Sequence, residues 1–331
     1  MSRVLGSSIR DAIRYGFPVG RVRVLEGRLL DNATLERLLD APDFLAQKRV
    51  LSDTDYGAVV APCESASDVE RALDEYLGSL IDFLETSHLP EPTQRFFRLP
   101  YDFRNMKARL KAEATGAALE DMLEARGLVP LDAWSGPLEE LPEEFRALDP
   151  LVRDAAGHVV RELIDPVVDR AMYEALLAEA ERSKSEMLVD FARLDIDISS
   201  VRTLLRARSL GRSKEWARRA LAEGGSLDVE GMLAAFDAPD EVFAESVARV
   251  AESLRVTPEE LLDMNRLDIL ADNLLMQVAR RGRVAATGVE PVLGYVMARR
   301  SEVIILRTLL LGKLAGLGAD ELRKTLRELY V

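Results

Sequence analysis

The sequence predicts an all-α protein on three observations. A helix-forming stretch with an acid five positions before a base occurs three times: Asp102 with Lys107, Asp197 with Arg202, and Glu302 with Arg307, each followed by a leucine-containing run. Leu, Ala, Arg and Glu dominate while aromatics are only 6%, a balance that favours helix over sheet. No stretch combines β-branched alternation with turn chemistry strongly enough to build a strand pair.

The three stretches lie 95 and 105 residues apart, too irregular for a solenoid and too persistent for chance. A second signal keeps step with the first. Two acids at helical i, i+4 spacing precede each stretch: Glu70 and Asp74, Asp165 and Asp169, Asp268 and Asp272. The second acid of each pair stands 28, 28 and 30 residues before the motif acid. This reads as one helical module used three times, over residues 1–130, 131–225 and 226–331.

Taken in order, the segment from Tyr15 to Glu26 carries Arg21, Arg23 and alternating valines, so both an extended and a helical start are open. Leu29 to Leu39 reads as an amphipathic helix ended by Asp40-Ala-Pro-Asp43, a tetrapeptide that recurs as Asp237-Ala-Pro-Asp240. In each copy the proline stops one helix and the second aspartate can cap the next. Ser67 with Glu70 forms a capping-box pattern for a helix through Leu84. The first motif helix is expected from Tyr101 to about Ala114. Leu138 to Pro150, in a proline-rich stretch, reads as an inter-repeat linker. Asp165-Pro166 reads as a further helix start, opening a long helix through Glu186. Gly224-Gly225 marks the second boundary, and Thr257-Pro-Glu-Glu260 is another cap. The third motif helix is expected to reach about Leu317, with a terminal helix from Ala319 to Leu329.

From Val303 to Leu311 only Arg307 and Thr308 are polar, so this helix should be surrounded by protein and Arg307 should need a buried partner. The paired acids of the preceding helix supply candidates at offsets of 33, 33 and 35 residues. The expectation is one cross-helix ion pair per module: Lys107 with Asp74, Arg202 with Asp169, Arg307 with Asp272. The first acid of each pair is expected at a helix N-terminus and the second on the base. A metal or catalytic carboxylate cluster is the alternative reading, but threefold repetition suits a strut better than a single active site.

The formal net charge of −13 repels nucleic acid and anionic headgroups. The single cysteine, Cys63, excludes an intramolecular disulfide and a multi-cysteine metal site. Met1 to Arg10 lacks the apolar core of a signal peptide, and the apolar run Val303 to Leu317 is interrupted by Arg307 and Lys313 and too short for a bilayer. Phosphate-loop, dinucleotide-loop and nucleophile-elbow patterns are missing, and His88 and His158 are isolated. No catalytic residue, cofactor or metal is expected. One local exception to the acidity is the segment holding Arg202, Arg206, Arg208, Arg212, Lys214, Arg218 and Arg219 against Glu215 alone. It reads either as a solvated face or as a docking patch for an acidic protein surface, with Trp216 as its anchor.

The stretch Tyr101-Asp-Phe-Arg-Asn-Met-Lys-Ala-Arg-Leu-Lys-Ala112, the run from Arg300 through Lys313 and the close at Leu329-Tyr330 together resemble the C subunit of archaeal and bacterial V/A-type ATPases, a relative of the d subunit of the eukaryotic vacuolar ATPase. The likeness extends over nearly the whole chain, including Arg21 to Glu26. It implies three similar helical lobes forming a funnel around a central cavity, with no active site and no cofactor. It also implies a place on the cytoplasmic face of the membrane, where the protein joins the central-stalk shaft to the ion-carrying rotor ring. One departure is visible: Ser200 and Ile305 stand where the first motif has Asn105. A freestanding helical-repeat scaffold for protein partners is the other reading of the same features.

Overall fold

A computed structural model describes residues 15–331. The signal-peptide expectation falls on Met1 to Arg10 and so lies outside the described residues. Every regular element among the described residues is helical; the only β-type pairing there is the isolated bridge between Arg153 and Val159. Two compact units result among the described residues: one joins residues 15–89 to Asn265–Val331, and the other holds Pro90–Met264.

In the first unit residues 15–26 are helical, which closes the choice left open by the alternating valines. Asn32–Asp40 and Phe44–Leu51 follow, each capped by an aspartate side chain, Asp31 on the Thr34 amide and Asp43 on the Ala46 amide. Ala66–Thr86 is the helix of the first acid pair. Its capping box is Ser65 with Asp68, two residues before the expected one, because Ser65 is the residue that takes up the extended conformation required of a cap. The third motif helix, Glu290–Leu314, packs along Ala66–Thr86 and buries residues on every side. Val303, Leu306, Leu309 and Leu310 enter one apolar core with Leu38, Leu39, Leu51, Val69 and Leu73. A helix covered all round in this way draws its stability from packing, which its near-continuous apolar sequence supplies. The closing helix is Ala319–Arg323, shorter than expected, and the chain continues without regular structure to Tyr330.

In the second unit the first motif helix runs Glu91–Thr115 with Pro100 inside it, ten residues longer at its start than expected. It packs along Arg161–Ser183, the helix of the second acid pair. That helix begins four residues before Asp165, so Asp165 is a helical residue and Pro166 lies inside. Pro166 cannot donate to the carbonyl of Glu162 four residues back, and Trp216 Nε1 donates there instead at 3.3 Å. Lys184, in the left-handed conformation at φ +61°, separates this helix from the second motif helix, Glu186–Ser209, so the expected continuous helix through Glu186 is two. The segment Leu138 to Pro150 is not an open linker. It folds into short helical turns, Leu138–Glu140, Glu143–Arg146 and Asp149–Val152. Its Phe145 is fully buried in T-shaped contact with Phe103 and Trp134, at ring separations of 5.1 Å. Proline there starts each turn, and the aromatics hold the turns down.

Candidate interaction surface and its bracing

The three motif acids do one job. Asp102 accepts from the backbone amides of Leu128 at 2.7 Å and Val129 at 3.1 Å. Asp197 accepts from the amides of Ser226 at 2.7 Å and Leu227 at 3.1 Å, and from the Ser226 hydroxyl at 2.6 Å. Glu302 accepts from the amide of Leu30 at 2.5 Å and from the Tyr56 hydroxyl at 2.6 Å. Each acid is buried and ties the backbone just before a short helix, Leu131–Ser135, Val229–Ala234 or Asn32–Asp40, to a motif helix. Carboxylates can satisfy two or more loop amides at once, which is why an acid recurs there.

Glycine makes room for two of these clasps. A Cβ on Gly127 would stand 2.0 Å from Asp102 Oδ1, and one on Gly225 would stand 2.3 Å from Asp197 Oδ1. Burial pushes the Asp102 carboxyl above the ordinary range, opposed by the amides of Leu128 and Val129. Burial likewise raises Glu302, opposed by the Arg299 charge and the Tyr56 and Leu30 hydrogen bonds. The amide of Asn105 adds a reciprocal pair with Glu124, donating to its carbonyl at 2.9 Å and accepting from its N–H at 2.8 Å. Ser200 lacks the reach for that and Ile305 sits in the apolar core, so this extra tie belongs to the first motif.

Two of the three motif bases, Lys107 and Arg307, pair with the repeated acids in a register different from the expected one. Lys107 reaches Asp169 at 2.5 Å and Asp165 at 3.4 Å, not Asp74. Arg307 reaches Asp74 at 2.6 Å and Glu70 at 2.7 Å, not Asp272. Asp272 receives Arg327 at 2.6 Å. Asp169, expected to receive Arg202, is the acceptor of Lys107. Each base follows its helix packing: the first motif helix lies on the second acid pair and the third on the first. In the first and second acid pairs both acids engage the base, so the first is not reserved for a helix terminus there. Arg307 is one-third exposed. The fully buried base of its helix is Arg299, which pairs with Glu302 at 3.0 Å and Asp55 at 2.5 Å and donates to the Tyr295 hydroxyl at 3.0 Å.

The basic segment divides. Arg208 is structural: it donates to the carbonyls of Phe236 and Ala238, pairs with Asp240 at 2.6 Å and lies 4.3 Å over the Phe243 ring. Arg218 pairs with Glu230 at 2.7 Å, and Arg219 with Glu215 at 3.5 Å. Lys214 begins the helix Lys214–Ala220. Arg206 and Arg212 are exposed and, with Trp216 and Arg202, line a cleft of about 860 Å³. Lys111, Arg161, Asp165 and Asp169 come to the same cleft from the first motif helix and the acid-pair helix. Sequence reasoning missed Arg161, which stands outside the basic run and carries no local signal.

Among the described residues no three His, Cys, Asp or Glu side chains group as metal ligands. No helix there is long and apolar enough to cross a membrane. The chain is similar to the C subunit of the A-type ATP synthase of Thermococcus kodakarensis, at 28% identity over 92% of this chain and 88% of that protein. It is 23% identical to the A-type C subunit of Methanocaldococcus jannaschii, over 96% and 87%. It is 28% identical to the C subunit of the V-type ATP synthase of Thermus thermophilus, over 89% and 93%. With residues 18–325 matching the family model of the ATP synthase (C/AC39) subunit, the chain belongs to that family.

Proposed function

We propose that this protein is the central-stalk adaptor of a rotary V/A-type ATPase, joining the rotor shaft to the membrane ring that carries protons or other cations. As a member of the C/AC39 family it is a structural part of the machine and not a catalytic one. The observation that carries the reading is the family match along nearly the whole chain. The physics of the fold supports it. Torque transmission needs a body that does not yield, and buried acids tying loops to helices in both units, with Arg299 locked inside one of them, supply stiffness. In this reading residues 1–130, 131–225 and 226–331 form three lobes of a funnel. The protein sits on the cytoplasmic face of the membrane and is held there by protein loops, as its acidity requires.

The test is recovery of the tagged chain from native membranes under mild detergent, followed by identification of what comes with it. The expected result is shaft and ring proteins in fixed proportion. Recovery of the chain alone, as a freestanding scaffold, overturns the assignment.

A further inference from the structure

Many of the described arginines pair with a carboxylate, and three that do not stand together in one cleft of the second unit. Arg161, Arg206 and Arg212 line it, and among the described residues none of the three has a carboxylate partner. The carboxylates Asp165 and Asp169 in the same lining are taken by Lys111 and Lys107, which leaves Glu162 as the one other carboxylate there, beside Arg161, Arg206 and Arg212. In a chain of net charge −13, an uncompensated positive site of this kind marks a place where negative charge arrives. The cleft is also apolar in part. Leu210 is 61% exposed and Met122 39%, and Trp216 lies beneath Arg212 with its ring 5.8 Å from the guanidinium. Its indole N–H is already used on the Glu162 carbonyl, so the ring is fixed in place as a wall.

We propose that this cleft receives an acidic amphipathic segment of a protein partner, its carboxylates on Arg161, Arg206 and Arg212 and its apolar side chains against Met122, Leu210 and Trp216. This rests on the adaptor reading above only in taking the partner to be a protein. A phosphate or nucleic-acid ligand fits less well, since exposed leucine and methionine offer it nothing and the global charge repels an extended polyanion. The volume of about 860 Å³ holds several side chains from one helix face.

The full-length chain is titrated with a synthetic helix of about 18 residues, five turns, built from Glu and Leu in amphipathic register. The comparison probes are the Lys and Leu version of that helix and inorganic pyrophosphate. The expected result is binding of the Glu peptide alone, weakened about tenfold or more in R161E/R206E/R212E and unchanged in the distant reversal R249E. The apolar contribution is read from M122S/L210S, which should also weaken binding. R161Q/R206Q/R212Q, checked by its thermal melt, stands in if the reversal variant does not fold. Equal binding by the charge variants, binding of the Lys peptide, or displacement by pyrophosphate with no effect of M122S/L210S overturns the proposal. None of these outcomes bears on copurification from membranes, so the adaptor reading is judged separately.

Discussion

Lys107 donates to Asp169 at 2.5 Å, a partner 62 residues further along the chain, while Asp74 receives Arg307 from 233 residues away. The motif base therefore reaches the acid pair of a different copy of the repeat. In the first unit this brings the end of the sequence onto its beginning: the third motif helix lies on the first acid-pair helix, and Glu302 holds Leu30. A contact between such distant residues imposes a large closure entropy that local contacts do not. The first unit should thus form only once the C-terminal third of the chain is available.

The first prediction concerns these pairs. Double-mutant cycles on Lys107 and Asp169, and on Arg307 and Asp74, should each give coupling of about 0.3–1 kcal/mol, the range for half-exposed pairs. Denaturant unfolding of the K107M, D169N and combined variants measures the first cycle. Strict additivity in both cycles would show that these pairs brace nothing.

Arg299 predicts a larger effect. It is fully buried, and two carboxylates and a tyrosine hydroxyl hold it. In E302Q its nearest buried counter-charge is gone, and the loss should be about 3–5 kcal/mol. In R299M/E302Q the buried guanidinium, which E302Q leaves with Asp55 as its one carboxylate, goes too, so that variant should be more stable than E302Q alone. Urea unfolding of the three proteins tests the order, and a double variant less stable than E302Q refutes it.

The all-α class and the repeated stretches were legible because helical periodicity and spacing survive in a single sequence. The register was not, because the three repeated stretches offer each base three similar acid pairs and near-equal offsets cannot choose among them. The roles of the motif acids escaped for a related reason: Leu30, Leu128 and Leu227 are clasped through backbone amides, which leave no mark on residue identity. Gly127 and Gly225 were the available signal, since both directly precede a clasped amide. Arg299 was hidden in an Arg-Arg doublet, although the apolar run from Val292 to Ala298 implies that whatever follows it is enclosed too. Asp165-Pro166 misled because a local capping rule cannot foresee that Trp216, fifty residues on, takes over the carbonyl that the proline leaves without a donor.

A third prediction follows from the Asp102 carboxyl, which burial holds above its ordinary range. A folded value above the unfolded one means that the native state binds the proton more tightly. The associated stabilisation is complete below the unfolded value, near 3.8, and is lost as the pH rises through the folded value. D102N cannot titrate. The stability difference between wild type and D102N should therefore shrink as the pH is raised from the unfolded value through the folded one. Unfolding both proteins across that interval checks the sign, and a difference that grows with pH contradicts it.

The last prediction uses the glycines. At Gly127 and Gly225 the backbone is not in the left-handed region, so alanine is conformationally acceptable and only space forbids it. The added methyl would meet the carboxylate of Asp102 or Asp197, which cannot swing aside without releasing two loop amides. G127A and G225A should each cost about 1–3 kcal/mol, as overpacking of a tight site does. Exchange at the amides of Leu128 and Val129 should accelerate in G127A, and at Ser226 and Leu227 in G225A, each without effect on the other loop. Gly157, where no atom lies within 4 Å of an added Cβ but φ is +86°, separates the two causes: G157A should destabilise through backbone strain alone and leave both pairs of amides protected. Were G127A to leave exchange at Leu128 and Val129 unchanged, Asp102 would not be what holds that loop.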